Sequence, residues 1–276
     1  MIRTKLLTRA AKQIWFHAGV HKTGTSTLQF CLRKNASRLP DGAAYFDHRH
    51  PTLQPLVHAC KQYQRRRTDQ NLGLIRSSAE QVISSDDFQD ADTILLSSEA
   101  LLGRIPSDRD DAMPYHTAPQ VADAMRTGFG VADMKVLLFT REMRGWVRSL
   151  YKHLVRTRGM RLTQQAFENL SKFQNFSWAK MLADLSAVQN VSVIERDAAD
   201  ARGLRLGPAE IFLITALGDR VDLATFETAE VRNVGMPDWV LEKVSTPFWL
   251  NRSKQVRRMY IKWLLRRAHN APKVAA

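Results

Sequence analysis

The stretch Gln13-Ile14-Trp15-Phe16-His17-Ala18-Gly19-Val20-His21-Lys22-Thr23-Gly24-Thr25-Ser26-Thr27 decides how the rest of the chain is read. Residues 13–18 are mostly apolar and do not alternate with polar ones, as a strand buried on both faces should read. Two glycines follow, Gly19 and Gly24, and a helical pattern then runs over 25–38. The glycines keep the Gly-x-x-x-x-Gly spacing of a phosphate-binding loop. Such a loop aims successive backbone N–H groups at an anion, and the helix N-terminus behind it adds its dipole. Gly24 can take a backbone shape that other residues resist. Thr23, Thr25, Ser26 and Thr27 supply further hydroxyl donors. The nucleoside-triphosphatase version of this loop places Lys directly after the second Gly. Here that position is Thr25, and the lysine is Lys22, inside the loop. A lysine placed there suits a shorter group, such as a single 5′-phosphate and its substituent. The plain alternative is a glycine turn ahead of an ordinary helix.

Outward from this stretch, further apolar runs read as buried strands: 93–97, 135–140, 191–195 and, more weakly, 43–47. Helical patterns lie between them at 53–67, 75–85, 116–127, 144–157, 163–170, 177–188 and 208–217. Strand–helix alternation argues an α/β domain with a mostly parallel sheet of about five strands flanked by helices. Ligands bind such sheets at the carboxyl ends of the strands. The expected organisation is one domain over 1–250 and a basic amphipathic helix or tail over 251–276.

The 276 residues carry 41 Lys/Arg against 27 Asp/Glu, a net charge of +14, which points to an anionic partner. The excess sits at the two ends. Residues 1–40 hold eight basic residues and no acid, residues 243–276 hold nine and no acid, and the middle holds 24 basic and 27 acidic. Ordinary hydrophobic and charged fractions, 44% and 25%, exclude wholesale disorder. Two cysteines, Cys31 and Cys60, cannot build a disulfide framework, although one bridge stays open. Their number fits a reducing compartment. No run of about 18 apolar residues exists, so no membrane-spanning helix is expected. The apolar run 14–20 is broken by His17 and makes a poor signal-peptide core. A cytoplasmic location is the simplest expectation.

A second motif follows the strand 135–140. It reads Phe139-Thr140-Arg141-Glu142-Met143-Arg144-Gly145-Trp146-Val147-Arg148-Ser149-Leu150-Tyr151. Together with His21-Lys22-Thr23-Gly24-Thr25-Ser26, it resembles sulfotransferases that use 3′-phosphoadenylyl sulfate (PAPS), closest to the bacterial single-domain members. The resemblance spans about residues 13–240. It implies a P-loop-type three-layer fold. It also implies a 5′-phosphosulfate loop at Lys22–Thr27 and a 3′-phosphate site at Arg141 and Ser149. The product would be adenosine 3′,5′-bisphosphate. A nucleotide-closing loop is matched loosely by Arg232 and Asn233, with Gly235 where a Ser is often found. PAPS carries two anionic ends and needs two anion sites. Arg offers a permanent fork for phosphate oxygens, and Ser adds a donor. On the helix after Arg141, residues 146, 147, 150, 151, 154 and 155 form an apolar side. Arg144, Arg148, Lys152 and Arg156 recur every four residues opposite it. They read either as a solvated face or as a wall that favours anionic acceptors.

Three residues are candidates for the proton-transfer role: Glu99 at the end of strand 93–97, His21 inside the loop, and His17 in the strand. His17 reads more simply as a core histidine. The resemblance favours Glu99, and Lys22 is the cation for the leaving phosphate oxygen. His48, His50 and His58 lack the cysteine pairs of a metal site and read as polar-loop residues, so no metal is expected. The expected acceptor is a hydroxyl or amine of a carbohydrate, lipid or small molecule. A small-molecule kinase is the runner-up, weakened by the lysine position and by the lack of an acidic Mg²⁺-binding motif. A non-enzymatic module for anions or membrane surfaces is the third reading. It rests on the tail, where Val256, Met259, Tyr260, Trp263 and Leu264 recur at helical spacing among basic residues. That helix either docks its apolar stripe on the domain or makes peripheral contact with an anionic membrane. No specific nucleic-acid motif is present.

Overall fold

The computed structural model describes residues 12–131, 133–228 and 235–270. The apolar runs become five strands: β1 (Gln13–His17), β2 (Ala43–Asp47), β3 (Thr93–Ser97), β4 (Met134–Thr140) and β5 (Val191–Asp197). They form one sheet in the order β2-β3-β1-β4-β5, with every pairing parallel. His17, at the end of β1, stands opposite both Ser97 and Leu137. The loops leaving β1, β3 and β4 therefore emerge at one edge, where a parallel sheet presents its ligands.

Helices cover both faces. In chain order they are α1 (Thr25–Lys34), α2 (Gln54–Arg65), α3 (Asp69–Ser84), α4 (Asp86–Gln89), α5 (Ala118–Phe129), α6 (Met143–Arg158), α7 (Gln164–Glu168), α8 (Ser171–Gln174), α9 (Trp178–Ser186), α10 (Pro208–Leu217), α11 (Asp238–Val244), α12 (Pro247–Leu250) and α13 (Lys254–Asn270). Successive strand side chains point to opposite faces. Thus Ile14 and Phe16 pack with α2, α3, α5 and α6 residues, while Trp15 and Phe139 pack with α1 and α10. This alternation produces the expected three layers. Cys31 lies in one layer and Cys60 in the other, and both are free thiols.

Most helices fall where the apolar periodicity placed them. The main difference is α3, which begins at Asp69 instead of residue 75. Its first turn is polar and invisible to apolar periodicity. The Thr68 hydroxyl starts it by accepting from the Asn71 N–H. α6 buries Trp146, Val147, Leu150, Tyr151, Leu154 and Val155, the whole expected apolar side. α13 docks by only part of the stripe read from the sequence, with Leu264 buried and Tyr260 half-buried against the core. It buries Arg257, Ile261 and Leu264, whereas Val256, Met259 and Trp263 stay exposed. The Arg257 guanidinium donates to the carbonyls of Gly159 and Met160, at 3.1 and 2.5 Å. A cation at the carboxyl end of α6 also complements that helix's dipole. Among the described residues, no helix is long and apolar enough to cross a membrane.

Candidate functional site

The loop after β1 is shaped by its backbone. Gly24 has φ 100° and Lys22 has φ 75°, both left-handed. A glycine adopts this shape freely and a lysine only where the surroundings hold it. Tight packing under the loop also needs Gly19. A Cβ there would lie 2.6 Å from the Thr25 side chain and 3.0 Å from Glu99 Cγ. The Thr23 hydroxyl is used inside the loop, donating to the Val20 carbonyl at 2.7 Å. Among the described residues, no side chain caps the N-terminus of α1. Its first N–H groups and dipole are thus left to the space in front of Thr25 and Ser26. The Thr25 hydroxyl is buried without a well-formed hydrogen bond, close to Glu99.

The loop after β4 is built from side chains. Glu142 caps α6 by accepting from the N–H groups of Arg144 and Gly145, at 2.7 and 2.6 Å. That helix N-terminus is closed. Arg141 and Ser149 face the cleft instead.

Both loops open onto one cleft of about 720 Å³. Lys22, Thr25, Ser26, Thr27, Glu99, Arg141 and Ser149 all line it, as do Arg148, Lys152 and Arg156 of the basic stripe. Glu99 is the one acid among these lining residues. Arg148 and Lys152 also meet Asp238, at 3.1 and 2.5 Å, which ties α6 to the start of α11. Two openings flank the loop. One, about 750 Å³, runs from Lys22 and Arg141 along residues 197–208. The other, about 430 Å³, lies beyond Glu99 and is lined by His21, Gln29, Arg33 and His48 among others.

Sequence reasoning missed an aromatic block that fastens both loops. Tyr115, Trp146, Phe176 and Trp178 pack with centroid separations of 4.8–6.4 Å. The Trp146 indole N–H donates to the His21 carbonyl at 2.8 Å. The Trp178 indole N–H donates to the Arg141 carbonyl at 2.7 Å. The Tyr115 hydroxyl accepts from the His21 N–H at 3.0 Å and lies 3.1 Å from His21 Nδ1. The hydroxyl has one proton and two acceptor sites, so it can donate to Nδ1 or accept from it as well. His21 Nε2 lies 4.0 Å from the Glu99 carboxylate.

Burial dominates the electrostatics. It pushes His21 down to about 3, helped by the positive fields of His153, Arg158 and Lys22. It lowers His153 to about 4, with Lys22, Arg156 and Arg158 adding to the effect. It lowers Lys22, to which Arg156 and Arg141 contribute while Glu99 opposes. It raises Glu99, against the pull of Lys22 and the Thr25 hydroxyl. Both histidines are neutral near pH 7. His153 was not singled out in the sequence, and it lines the cleft beside Arg156.

The other sequence candidates separate cleanly. His17 is wholly buried, pairs with the Ser97 hydroxyl at 2.8 Å and packs on Phe139 and Phe212. It is a core residue, pushed down to about 3 by burial. His48 lines the smaller opening, while His50 packs edge-on to Phe46. Among the described residues, no three His, Cys, Asp or Glu side chains gather into a metal-holding group. Arg232 and Asn233 lie outside the described residues, and Gly235 lines the cleft.

Fold and cleft define a three-layer α/β protein whose two strand-end loops share one basic cavity. Comparison with protein-family models, with curated proteins and with solved structures finds no match to this chain.

Proposed function

We propose that this chain is a sulfotransferase that moves the sulfuryl group of PAPS to a hydroxyl or amine of a carbohydrate, lipid or small molecule. One observation carries the reading. The lysine-bearing loop after β1 and the Arg141/Ser149 pair after β4 open on the same 720 Å³ cleft, with Glu99 between that loop and a second opening. PAPS has two anionic ends, and two separate sets of residues suited to anions line one cavity here, which supports the reading. The cavity toward residues 197–208 has room for the nucleoside, and the opening beyond Glu99 has room for the acceptor.

When bound, PAPS supplies an in-line sulfuryl transfer, with adenosine 3′,5′-bisphosphate as the leaving group. Each residue then has a part that its position supports. The Lys22 ammonium and the N–H groups at the start of α1 face the charge that grows on the leaving phosphate oxygen. Arg141 and Ser149 hold the 3′-phosphate and so set the position of the whole nucleotide. Glu99 takes the acceptor's proton, as a carboxylate whose raised pKa makes it a stronger base. Neutral His21, with Nε2 4.0 Å from the Glu99 carboxylate, is the second candidate for the proton-transfer role.

Melting curves test the reading. Adenosine 3′,5′-bisphosphate should raise the melting temperature, because a ligand bound only by the native state stabilises it by mass action. A rise with ATP–Mg²⁺ and none with the bisphosphate overturns the reading in favour of a kinase. A rise with a DNA duplex alone favours a polyanion-binding module. Transfer of label from radiolabelled PAPS into cell-extract acceptors then finds the acceptor class.

A further inference from the structure

The carboxyl-terminal region carries an apolar face that is exposed among the described residues. α13 has three arcs at its 3.6-residue period. Arg257, Ile261 and Leu264 form the docked arc and are 1–2% exposed. Val256, Met259 and Trp263 form the next arc and are 45%, 65% and 49% exposed. Arg258, Lys262 and Arg266 recur every four residues on the arc beyond and are exposed. The middle arc continues onto α12. Trp249 stacks on Tyr260 at 3.9 Å, Tyr260 on Trp263 at 5.8 Å, and Phe248, 57% exposed, meets Trp249 edge-on. Cations also sit on these rings, Arg252 over Phe248 at 4.2 Å and Arg267 over Trp263 at 4.7 Å. After Glu242 the chain holds no acid at all.

From this we infer that the α12–α13 face seats the protein peripherally on an anionic membrane surface, with Phe248, Met259 and Trp263 entering the headgroup boundary and Arg258, Lys262 and Arg266 meeting lipid phosphates. Charge complementarity selects this occupant. An acid-free basic arc is complementary to an anionic partner, and long side chains with basic heads reach phosphates while their stems cover apolar surface. Duplex nucleic acid would answer the charges but leave Phe248 and Met259 in water. A lipid interface answers both, because it offers charge at the surface and apolar depth beneath. The helix lies on the surface and does not cross it, in keeping with its length and charge. The inference is independent of the reaction in the cleft, since none of these side chains lines it.

Vesicle flotation of the full chain tests it. The protein should float with phosphatidylcholine–phosphatidylglycerol vesicles at low salt and not with phosphatidylcholine alone. Two double variants, Phe248→Ser/Trp263→Ser and Arg258→Glu/Arg266→Glu, should each lower partitioning by about tenfold or more. Their melting temperatures should stay near the parent's, since all four side chains are exposed. Should the aromatic pair fail to fold, Met259→Gln should still lower partitioning a few-fold. No flotation, equal flotation with neutral vesicles, or flotation undiminished by the variants overturns the inference. So does tight binding of a single-stranded DNA oligonucleotide without flotation, which would make the ring ladder a base-stacking platform.

Discussion

The loops after β1 and β4 leave neighbouring strands at the same edge of the sheet, yet they present charge in opposite ways. The first is backbone-built. Gly24 and Lys22 are left-handed, and among the described residues no side chain caps α1. The second is side-chain-built. Glu142 fills the N-terminus of α6, and the groups that face the cleft are Arg141 and Ser149. A backbone cradle has a fixed geometry and suits the end of a ligand where bonds change. A guanidinium reads charge and shape, and suits a phosphate that only has to be held. In the proposed reaction, damage to the first loop therefore belongs to rate and damage to the second to affinity for the 3′-phosphate.

The sharpest way to break that contrast is at the chemical end. Lys22→Ala should lower turnover by about 10²-fold or more, and Glu99→Gln should do the same while leaving bisphosphate affinity near the parent's. Steady-state rates and calorimetric titration separate the two. Retained turnover in Glu99→Gln removes that residue from the mechanism. The pH profile assigns the base independently. A base works only when deprotonated, so activity falls as pH drops through its pKa. Burial raises Glu99 above its ordinary 4.5, whereas it pushes His21 down to about 3. The acid limb should lie above 4.5, and a limb near 3 would transfer the role to His21.

At the other loop, Arg141→Gln should weaken the bisphosphate by about 10- to 100-fold, the range for losing a charge-assisted contact. Turnover at saturating donor should change far less. The discriminating comparison is adenosine 5′-phosphosulfate, which lacks the 3′-phosphate. Its affinity should hardly respond to Arg141→Gln, and an equal loss for both nucleotides would put Arg141 elsewhere on the donor.

The sheet was legible because its strands are buried on both faces and read as uninterrupted apolar runs; even the weak run at 43–47 is a strand. That Lys22 and Glu99 would line a cleft was legible because strand ends in a parallel sheet open on one edge, whereas Arg141 and Ser149 were picked out by the resemblance of the 139–151 motif. Trp178, Tyr115 and His153 were not. Trp178 reaches Arg141 across 37 residues of chain, and Tyr115 reaches His21 across 94. Contacts of that range leave no local pattern. Trp146 was visible only as one more apolar residue of a helix face. Only part of the docking side of α13 was legible, Leu264 and Tyr260 but not Arg257, for a related reason. Arg257 carries charge, so hydropathy places it in water, but the open carbonyls at the end of α6 hold it inside.

The aromatic block gives a smaller and more local test. Trp146 holds the first loop through His21, and Trp178 holds the second through Arg141. Replacing either by Phe keeps most of the ring packing and removes one hydrogen bond, a cost of about 0.5–1.5 kcal/mol in stability. Urea titrations should give the larger loss for Trp146→Phe, because Trp146 is wholly buried and its truncation also leaves a cavity, whereas Trp178 is half-buried. Their nucleotide effects should differ. Trp178→Phe should reduce the preference for the bisphosphate over adenosine 5′-phosphosulfate, and Trp146→Phe should weaken both ligands alike. Identical patterns would mean that the block supports the cleft as a whole.

The smallest expected effect has the opposite sign. Glu142 holds two N–H groups of α6 and adds a negative charge beside Arg141. Its own pKa is lowered, chiefly by those N–H bonds. Glu142→Ala opens the N-terminus of α6 and leaves the second loop more like the first. Losing the cap should lower the melting temperature. Losing the carboxylate should raise bisphosphate affinity by about two- to fivefold, the scale of a helix-terminus charge effect, and the gain should shrink at high salt. The competing outcome is also informative. An ideal Cβ on Gly145 would lie 3.6 Å from Arg141 Nε, so the guanidinium rests against the turn that Glu142 organises. If affinity falls, the capped turn is what positions Arg141, and the second loop then depends on backbone shape as much as the first.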